Sequence, residues 1–575
     1  MKVPDVSRGL RRAGLLAVLA GALLPGCESR TPPHRFPLTT APATDSAPPP
    51  EASAARPASV EATPARPASA QPAQPASHDG VASAQPASHD GVASAQPSSG
   101  EAATSARPAT SESARELTAA AAPTVVPSSA RVSAPARSTG RSAFRALPPT
   151  TERAGHLHAL ATRLKAPGGA VEDPCVEPSD TGCARSALTP FFRALDGLLE
   201  GTAKTPTVIA AFGNSLIAGD RIVDVVRDEL VAGFGHAGRG ALLVDRMAPY
   251  GGRSRTAAVS NGWQPRTLGE LHAPPHPFGI TGVYHVATEN RARGRFKLDG
   301  EPRGTLWWKD VKGAGRLVVS VDGTVLARTE PQGDGASRTT SFDLPAGAKW
   351  LDVTAEGKGA IVQGVVLQKD APGVVLDMLG VPSADATLYA RLEEDALKAQ
   401  LAQRDPKLLL FFLGGNESKR LEWKRTDLST VRQDLAALLR RARAAAPGSA
   451  CMVVGPMDAV QDGHAKGKPL TQRPFLEAAI QAEREVALAE GCGFFNLYTA
   501  MGGAGSLARF HQAGFMHEDL VHPRGQGLDL LGQLVSDALL AGWANEGAVP
   551  APALTSSRED APAGSGSGQT AEAVP

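Results

Sequence analysis

Ser215 stands between Asn214 and Leu216, where the apolar run Thr207 to Phe212 stops and an amphipathic helical pattern is about to begin. A serine hydroxyl is a weak nucleophile until a base takes its proton as the new bond forms. The base in turn needs a carboxylate to fix its tautomer and stabilise its charged form. Both partners can come from Asp519-Leu520-Val521-His522-Pro523, because three residues along a turn bring the Asp519 and His522 side chains to one side of the loop. The oxyanion of an acyl-transfer intermediate needs preorganised donors. Candidates are the backbone N–H of Ser215, the backbone N–H of Gly380 and the side-chain amide of Asn416 in Gly414-Gly415-Asn416-Glu417. Each has a plainer reading: glycines as turn residues, Asn416 as a local cap, Asp519 and His522 as a surface pair. Taken together in this order they describe serine-based acyl hydrolysis, with no metal or organic cofactor required, and no Cys/His spacing suggests a metal site.

These residues need a scaffold that brings distant stretches to one edge. Thr207 to Phe212 reads as a buried strand, followed by a tight turn at Gly213 and a helix over Arg221 to Phe234, with Ile222, Val225, Val226, Leu230 and Phe234 on one face. Helical patterning precedes it at Glu152 to Leu164 and Ser186 to Leu199. The alternation resumes at Gly373. Strand Val374 to Leu379 leads to helix Ala386 to Gln403, Leu408 to Leu413 to helix Leu428 to Ala446, and Met452 to Val454 to helix Pro474 to Glu490; strand Phe494 to Leu497 and helix Gln526 to Ala541 close the series. Five strands alternating with helices imply an α/β fold with a doubly wound parallel five-stranded sheet, whose ligands gather at the carboxyl ends of the strands.

Between the two halves the period changes to two. Arg316 to Arg328 alternates around Asp322-Gly323, a strong hairpin signal, and Thr305 to Trp308, Thr339 to Leu344, Trp350 to Ala355 and Ala360 to Gln368 read as further strands. The expectation is a β-sandwich inserted over residues 249–371, between a first α/β part at 151–248 and a second at 372–545. Trp307, Trp308 and Trp350 are either sandwich core or a stacking platform for sugar rings.

The stretches FGNSLIAGD, LGVPSADA, FFLGGNES and EDLVHP stand in this order, and they resemble the four blocks of the SGNH (GDSL-like) hydrolase superfamily. The resemblance covers about Thr207 to Ala541 apart from the insert. It implies a flavodoxin-like sheet, Ser215, His522 and Asp519 as the triad, and Ser215, Gly380 and Asn416 around the oxyanion. The insert after FGHAGRG, together with Asn416-Glu417, is similar to the bacterial peptidoglycan O-acetylesterase branch, which carries a carbohydrate-binding jelly roll at that place. Two positions depart from the family. Asn214 replaces a carboxylate, which is expected to weaken catalysis without abolishing it, since position 214 is outside the proton path. Pro382 stands where a glycine is frequent, so the second-block loop is expected to sit differently.

Composition places the rest. The 575-residue chain holds 47 prolines and 60 glycines, very unevenly spread, and its net charge of +1 gives no bias toward nucleic acid. Arg8, Arg11 and Arg12 precede an apolar stretch, Ala13 to Leu24, too short to span a bilayer. Leu24-Pro25-Gly26-Cys27 resembles a bacterial lipobox, which makes residues 1–26 a leader and Cys27 a lipidated anchor; an ordinary secretory leader with an incidental cysteine is the other reading. Residues 27–150 are dominated by Ala, Pro, Ser, Thr and Arg, with a tandem repeat at Gln74 to Ala84 and Gln85 to Ala95. Such a segment buries too little apolar surface to order, and roughly 120 residues of it span about 60 Å as a flexible tether. The tail at 546–575 reads the same way. Cys175 and Cys183 bracket a short turn-rich loop and suggest a local disulfide in an exported protein; Cys451 and Cys492 each open a core strand, as buried thiols or as a bridge.

The function expected from these features is that of an exported, membrane-anchored serine esterase acting on an acylated cell-envelope saccharide such as peptidoglycan, acetyl being the foremost acyl group. The alternatives are a degenerate hydrolase that only binds envelope glycan, and an acetyltransferase using the same triad.

Overall fold

The computed structural model describes residues 145–180, 182–248, 255–464 and 467–546. The leader, Cys27, the repeat, the tether up to residue 144 and the tail from 547 lie outside the described residues, whereas Arg145, near the end of the expected tether, is ordered and donates its backbone N–H to Ala544 O at 3.0 Å.

A parallel sheet of five strands forms the centre, in the order Val374–Gly380, Thr207–Gly213, Pro406–Phe412, Ala450–Val454, Gly493–Phe495. Numbered along the chain this is 2-1-3-4-5, the flavodoxin-like doubly wound order whose switch point lies between the first and third strands. The strand Thr207–Gly213 is buried along its whole length, as are its two neighbours but for Lys407. Strands covered on both faces read as continuous apolar runs rather than alternating ones, which is why Val208 to Phe212 and Leu408 to Phe412 are recognisable without any period.

The flanking helices differ in detail from the sequence reading. The helix expected over Ala386 to Gln403 is two, Ala386–Tyr389 and Glu394–Arg404. Tyr389 turns inward there to bind the ends of the central strands, so the chain bends before the second helix starts. Cys183 and its neighbours form a short hairpin, Cys175–Ser179 with Gly182–Ser186, and the following helix begins only at Thr189.

The insert is a sandwich of two antiparallel sheets. One runs Thr324–Arg328, Arg316–Val321, Trp350–Glu356, Arg293–Lys297, Val259–Asn261; the other runs Ser337–Asp343, Arg303–Lys309, Ile361–Gln368, Val283–Ala287, Trp263–Thr267. The turn at Asp322-Gly323 takes positive φ at both residues, 48° and 87°, as a two-residue hairpin demands. The second sheet also recruits Gly238–Leu242, which pairs antiparallel with Ile361–Gln368. Its sequence GRGAL is too glycine-rich to advertise a strand, so the sandwich starts before residue 249.

Trp307 and Trp308 point to opposite faces of their strand, as successive strand residues must. Trp308 packs in the core between the two sheets, whereas Trp307 packs against the α/β core, its indole donating to Gln403 at 2.7 Å. Both are buried, and Trp350 carries Arg295 over its ring. Trp307 and Trp308 are therefore packing residues, which leaves Trp350 alone partly exposed and no three-ring stacking platform. Where the two bodies meet, Arg404 donates to Asp377 through Nε and Nη2 at 2.7 and 3.2 Å and to Gln368 of the sandwich through Nη1, and Asp377 accepts the Ala241 N–H at 2.8 Å. The sandwich is thus hydrogen-bonded to the edge strand and the following helix of the catalytic sheet. Among the described residues no helix is long and apolar enough to cross a membrane.

Candidate active site

Ser215 opens a single helical turn, Ser215–Ala218, directly after the fully buried strand Thr207–Gly213. Asn214 caps that turn: its Oδ1 accepts the Leu216 N–H at 2.9 Å. Tyr389 secures the strand end behind it, its hydroxyl accepting the Gly213 N–H at 2.8 Å and facing the carbonyls of Gly213 and Leu379. Burial raises the pKa of this phenol, so it stays a neutral donor and acceptor. The first N–H groups of a helical turn have no partner inside it, and Ser215 is the first residue of this one.

His522 Nε2 lies 2.9 Å from Ser215 Oγ, and His522 Nδ1 lies 2.7 Å from Asp519 Oδ2. A carboxylate carries no proton, so Nδ1 donates to Asp519 and leaves Nε2 to accept the serine hydroxyl. Asp519 is itself fixed, since its Oδ1 accepts the N–H groups of Val521 and His522 at 2.9 and 3.0 Å. The loop closes through His517 N–H to His522 O at 2.9 Å, and Leu520 takes φ 53° at its tip. Partial burial pushes the Asp519 carboxyl up, but the His522 side chain and the two backbone N–H groups outweigh it and hold the pKa below the usual value.

Asn416 lies in the helix Gly415–Glu422 after the third strand. Its amide donates to Ala384 O at 2.7 Å, which orients the group and leaves a second N–H. Asn416, Asn214, Ser215 and His522 line one cavity of about 60 Å³ together with Met457 and Leu507. Ser215 and His522 also line a wider cleft of about 460 Å³ on their other side, with Leu216, Arg221, His517 and Leu528.

Gly380 does not join them. It ends the strand Val374–Gly380 in the sheet core, absent from both cavities, and its N–H is directed at Met378 Sδ, 3.2 Å away. The glycine answers a packing need, because a Cβ there would stand 2.5 Å from Ile217 Cγ1 beneath the nucleophile turn. Of the three expected donor residues, Ser215 and Asn416 line the cavity and Gly380 does not.

Three supporting residues escaped the sequence reading. Tyr389 lies in a helix that was expected to be continuous, and nothing in its surroundings marks it out. Glu417 accepts the Gly414 N–H at 2.9 Å and the Ala386 N–H at 3.1 Å, joining the second-block and third-block loops. Burial and the neighbouring Asp385 push its pKa up to about 7 against these bonds. Arg473 gives an N–H to Gly415 O at 3.0 Å from a distant loop. Away from the cleft, Cys175 and Cys183 form a disulfide, and so do Cys451 and Cys492. Among the described residues no group of three or more His, Cys, Asp or Glu converges to hold a metal.

Comparison with known proteins gives the class. Residues 347–530 match the GDSL-like lipase/acylhydrolase family, a span that contains Gly380, Asn416, Asp519 and His522, while Ser215 precedes it on the other side of the insert. The chain thus carries a GDSL-like lipase/acylhydrolase domain over these residues. Among curated protein sequences none matches the chain. Among solved structures it is similar to a peptidoglycan O-acetylesterase, at 21% identity and a TM-score of 0.52, covering 61% of this chain and 95% of that one. The two share their fold. TesA aligns at 22% identity with a TM-score of 0.21, over 29% of this chain and 78% of its own. A carbohydrate-binding module of a laminarinase from Zobellia galactanivorans aligns at 12% identity with a TM-score of 0.16, over 20% of this chain and 93% of its own.

Proposed function

We propose that this protein is an exported serine esterase that removes acyl groups, acetyl foremost, from a cell-envelope polysaccharide such as peptidoglycan. The observation that carries the mechanism is the unbroken line Ser215 Oγ, His522, Asp519, with contacts of 2.9 and 2.7 Å. Ser215 Oγ attacks the ester carbonyl while its proton passes to His522 Nε2. Negative charge develops on the carbonyl oxygen toward the Ser215 amide and the second N–H of Asn416. Asp519 stabilises the imidazolium, which then protonates the departing sugar hydroxyl. Water enters, gives its proton to His522 and releases the carboxylic acid from the acyl-enzyme.

Cavity size supports a short acyl group. The space beside Asn416, about 60 Å³, is the smaller of the two that meet at Ser215 and suits a short acyl group. The wider side, about 460 Å³, suits a sugar as leaving group. A saccharide substrate is further supported by the fold shared with a peptidoglycan O-acetylesterase. Export is supported by two disulfides, which persist in oxidising compartments, and by the leader-like residues 1–26. Lipidation of Cys27 would tie the enzyme to a membrane, and residues 27–150 would let the domain reach outward from it.

A chromogenic acetyl ester given to the wild type and to Ser215→Ala tests the reading. Turnover by the wild type, lowered by several orders of magnitude in the variant, is expected; equal rates would sink it. Longer acyl esters should be cleaved progressively more slowly.

A further inference from the structure

Beneath the Asn416 cleft lie two carboxyl groups for which the chemistry above has no use. Glu417 follows Asn416 in sequence, and Glu483 lies on the helix Leu476–Ala489, which packs against the helix of Glu417. They are only 5% and 1% exposed. Both converge on Gly414: its N–H donates to Glu417 Oε2 at 2.9 Å, and a Cβ on it would stand 2.5 Å from Glu483 Oε2. Gly414 takes φ 89°, so glycine satisfies both the backbone and the space.

Neither carboxyl has a cation bonded to it among the described residues. The charged and titratable groups around them are already engaged. Asp385 is paired with Arg420, Arg473 is turned toward Gly415 O, Ser418 and Glu422, and Tyr389 holds the strand ends. Glu483 Oε2 is buried with no donor directed at it. Two neighbouring carboxylates cannot both stay ionised in a dry site without a cation, because desolvation and mutual repulsion act in the same direction. Burial, and then Glu417, drive the pKa of Glu483 well above the ordinary value.

The pair sits where it can matter. Asn416 and Glu417 bind the same neighbouring segment, the amide at Ala384 O and the carboxyl at Ala386 N–H. A shift of Glu417 would be felt directly by the residue before it. We infer that Glu483 is a positioning residue, held as the uncharged acid and sharing its proton with Glu417, so that the buried pair keeps Asn416 aimed into the cleft. The inference rests on the proposed role of Asn416 as oxyanion donor.

The test is Glu483→Gln, which keeps the shape and fixes the neutral state, beside Glu483→Ala, which empties the site. A raised acid keeps its proton in the fold and loses it in the unfolded chain, so it makes stability fall as pH rises from about 4.5 through the raised value. The wild-type thermal midpoint should drop by a few degrees between pH 6 and pH 9, and Glu483→Gln should flatten that slope. In ester hydrolysis Glu483→Gln should stay within about twofold of wild type at neutral pH and lose less kcat on the alkaline side. Glu483→Ala should lower kcat on the order of tenfold with KM unchanged. Equal pH slopes of the thermal midpoint in wild type and Glu483→Gln would overturn the shared proton, whether or not any ester is turned over. Equal alkaline losses of kcat would overturn the positioning role. If Glu483→Gln does not fold, Glu483→Met, uncharged and of similar length, takes its place in both measurements.

Discussion

Asn214 Oδ1 accepts the backbone N–H of Leu216 at 2.9 Å, so the residue that replaces the family's carboxylate still closes the turn that presents Ser215. The geometry of the nucleophile depends on an acceptor at this position, and an amide oxygen supplies one. What the amide lacks is charge-assisted strength. Asn214→Asp should therefore leave the turn intact and give kcat at or above the parent value. Asn214→Ala should remove the cap, costing about 1 kcal/mol of stability, and lower kcat by at least about tenfold as Ser215 loses its alignment. Thermal denaturation and steady-state rates on an acetyl ester read the two effects.

Gly380→Ala separates packing from donation. An alanine keeps the backbone N–H but brings its Cβ against Ile217 and the Ala218 amide, at 2.5 and 3.1 Å before any relaxation. If Gly380 acts through packing, the variant should lose about 1–3 kcal/mol by overpacking and lower kcat through the displaced Ser215–Ala218 turn. A variant as stable and active as the parent would show that this close approach has no consequence.

Asp519→Asn tests the orientation of the base. The substituted amide could offer an N–H to His522 and favour the wrong tautomer, and kcat should fall by on the order of 10⁴. The sign for pH follows from the depressed pKa of Asp519. Its contribution to stability is present above the ordinary value of about 3.9 and is lost as pH falls through the lowered one. The variant should accordingly show its stability difference at neutral pH and lose it under strong acid, as followed by thermal midpoints across pH 2 to 7.

The two disulfides should respond differently to a reductant. Cys175 and Cys183 are exposed on their hairpin, whereas Cys451 and Cys492 are buried in the central sheet. Mild reduction of the native protein followed by alkylation should label the first pair alone. Replacing Cys451 and Cys492 by alanine should cost about 4 kcal/mol, by the entropy of a loop of their separation, against about 3 kcal/mol for the shorter one; urea midpoints and mass spectrometry of labelled thiols decide this.

Much of this arrangement is legible in the amino-acid sequence. The central strands announce themselves because burial on both faces leaves unbroken apolar runs ending in glycine or asparagine, and Asp519 and His522 lie close enough in sequence for their contact to be local. What could not be read depends on register between distant segments. A glycine at a strand end signals a donor and a close contact equally, so the place of Gly380 required Ile217 to be located. Cys451 and Cys492 needed the parallel pairing of Met452 with Gly493 to bring them together. Glu483 has the pattern of an ordinary surface helix residue, and only the approach of Glu417 distinguishes it. Gly238–Leu242 becomes a strand solely because Ile361–Gln368 offers it an edge.

That last pairing bears on how the catalytic centre comes into being. Ser215 and its partners lie on opposite sides of the inserted chain, and pairing of the strands beneath them, Thr207–Gly213 and Val374–Gly380, closes the whole insert into a loop. The antiparallel clasp of Gly238–Leu242 on Ile361–Gln368 draws the two ends of the insert together, and His236 bridges to Val374 beside it. Once the clasp has formed, the remaining closure spans a few residues, and its entropic cost falls accordingly. The sandwich thereby serves as an internal staple, holding together the two stretches of chain that carry Ser215 and its partners.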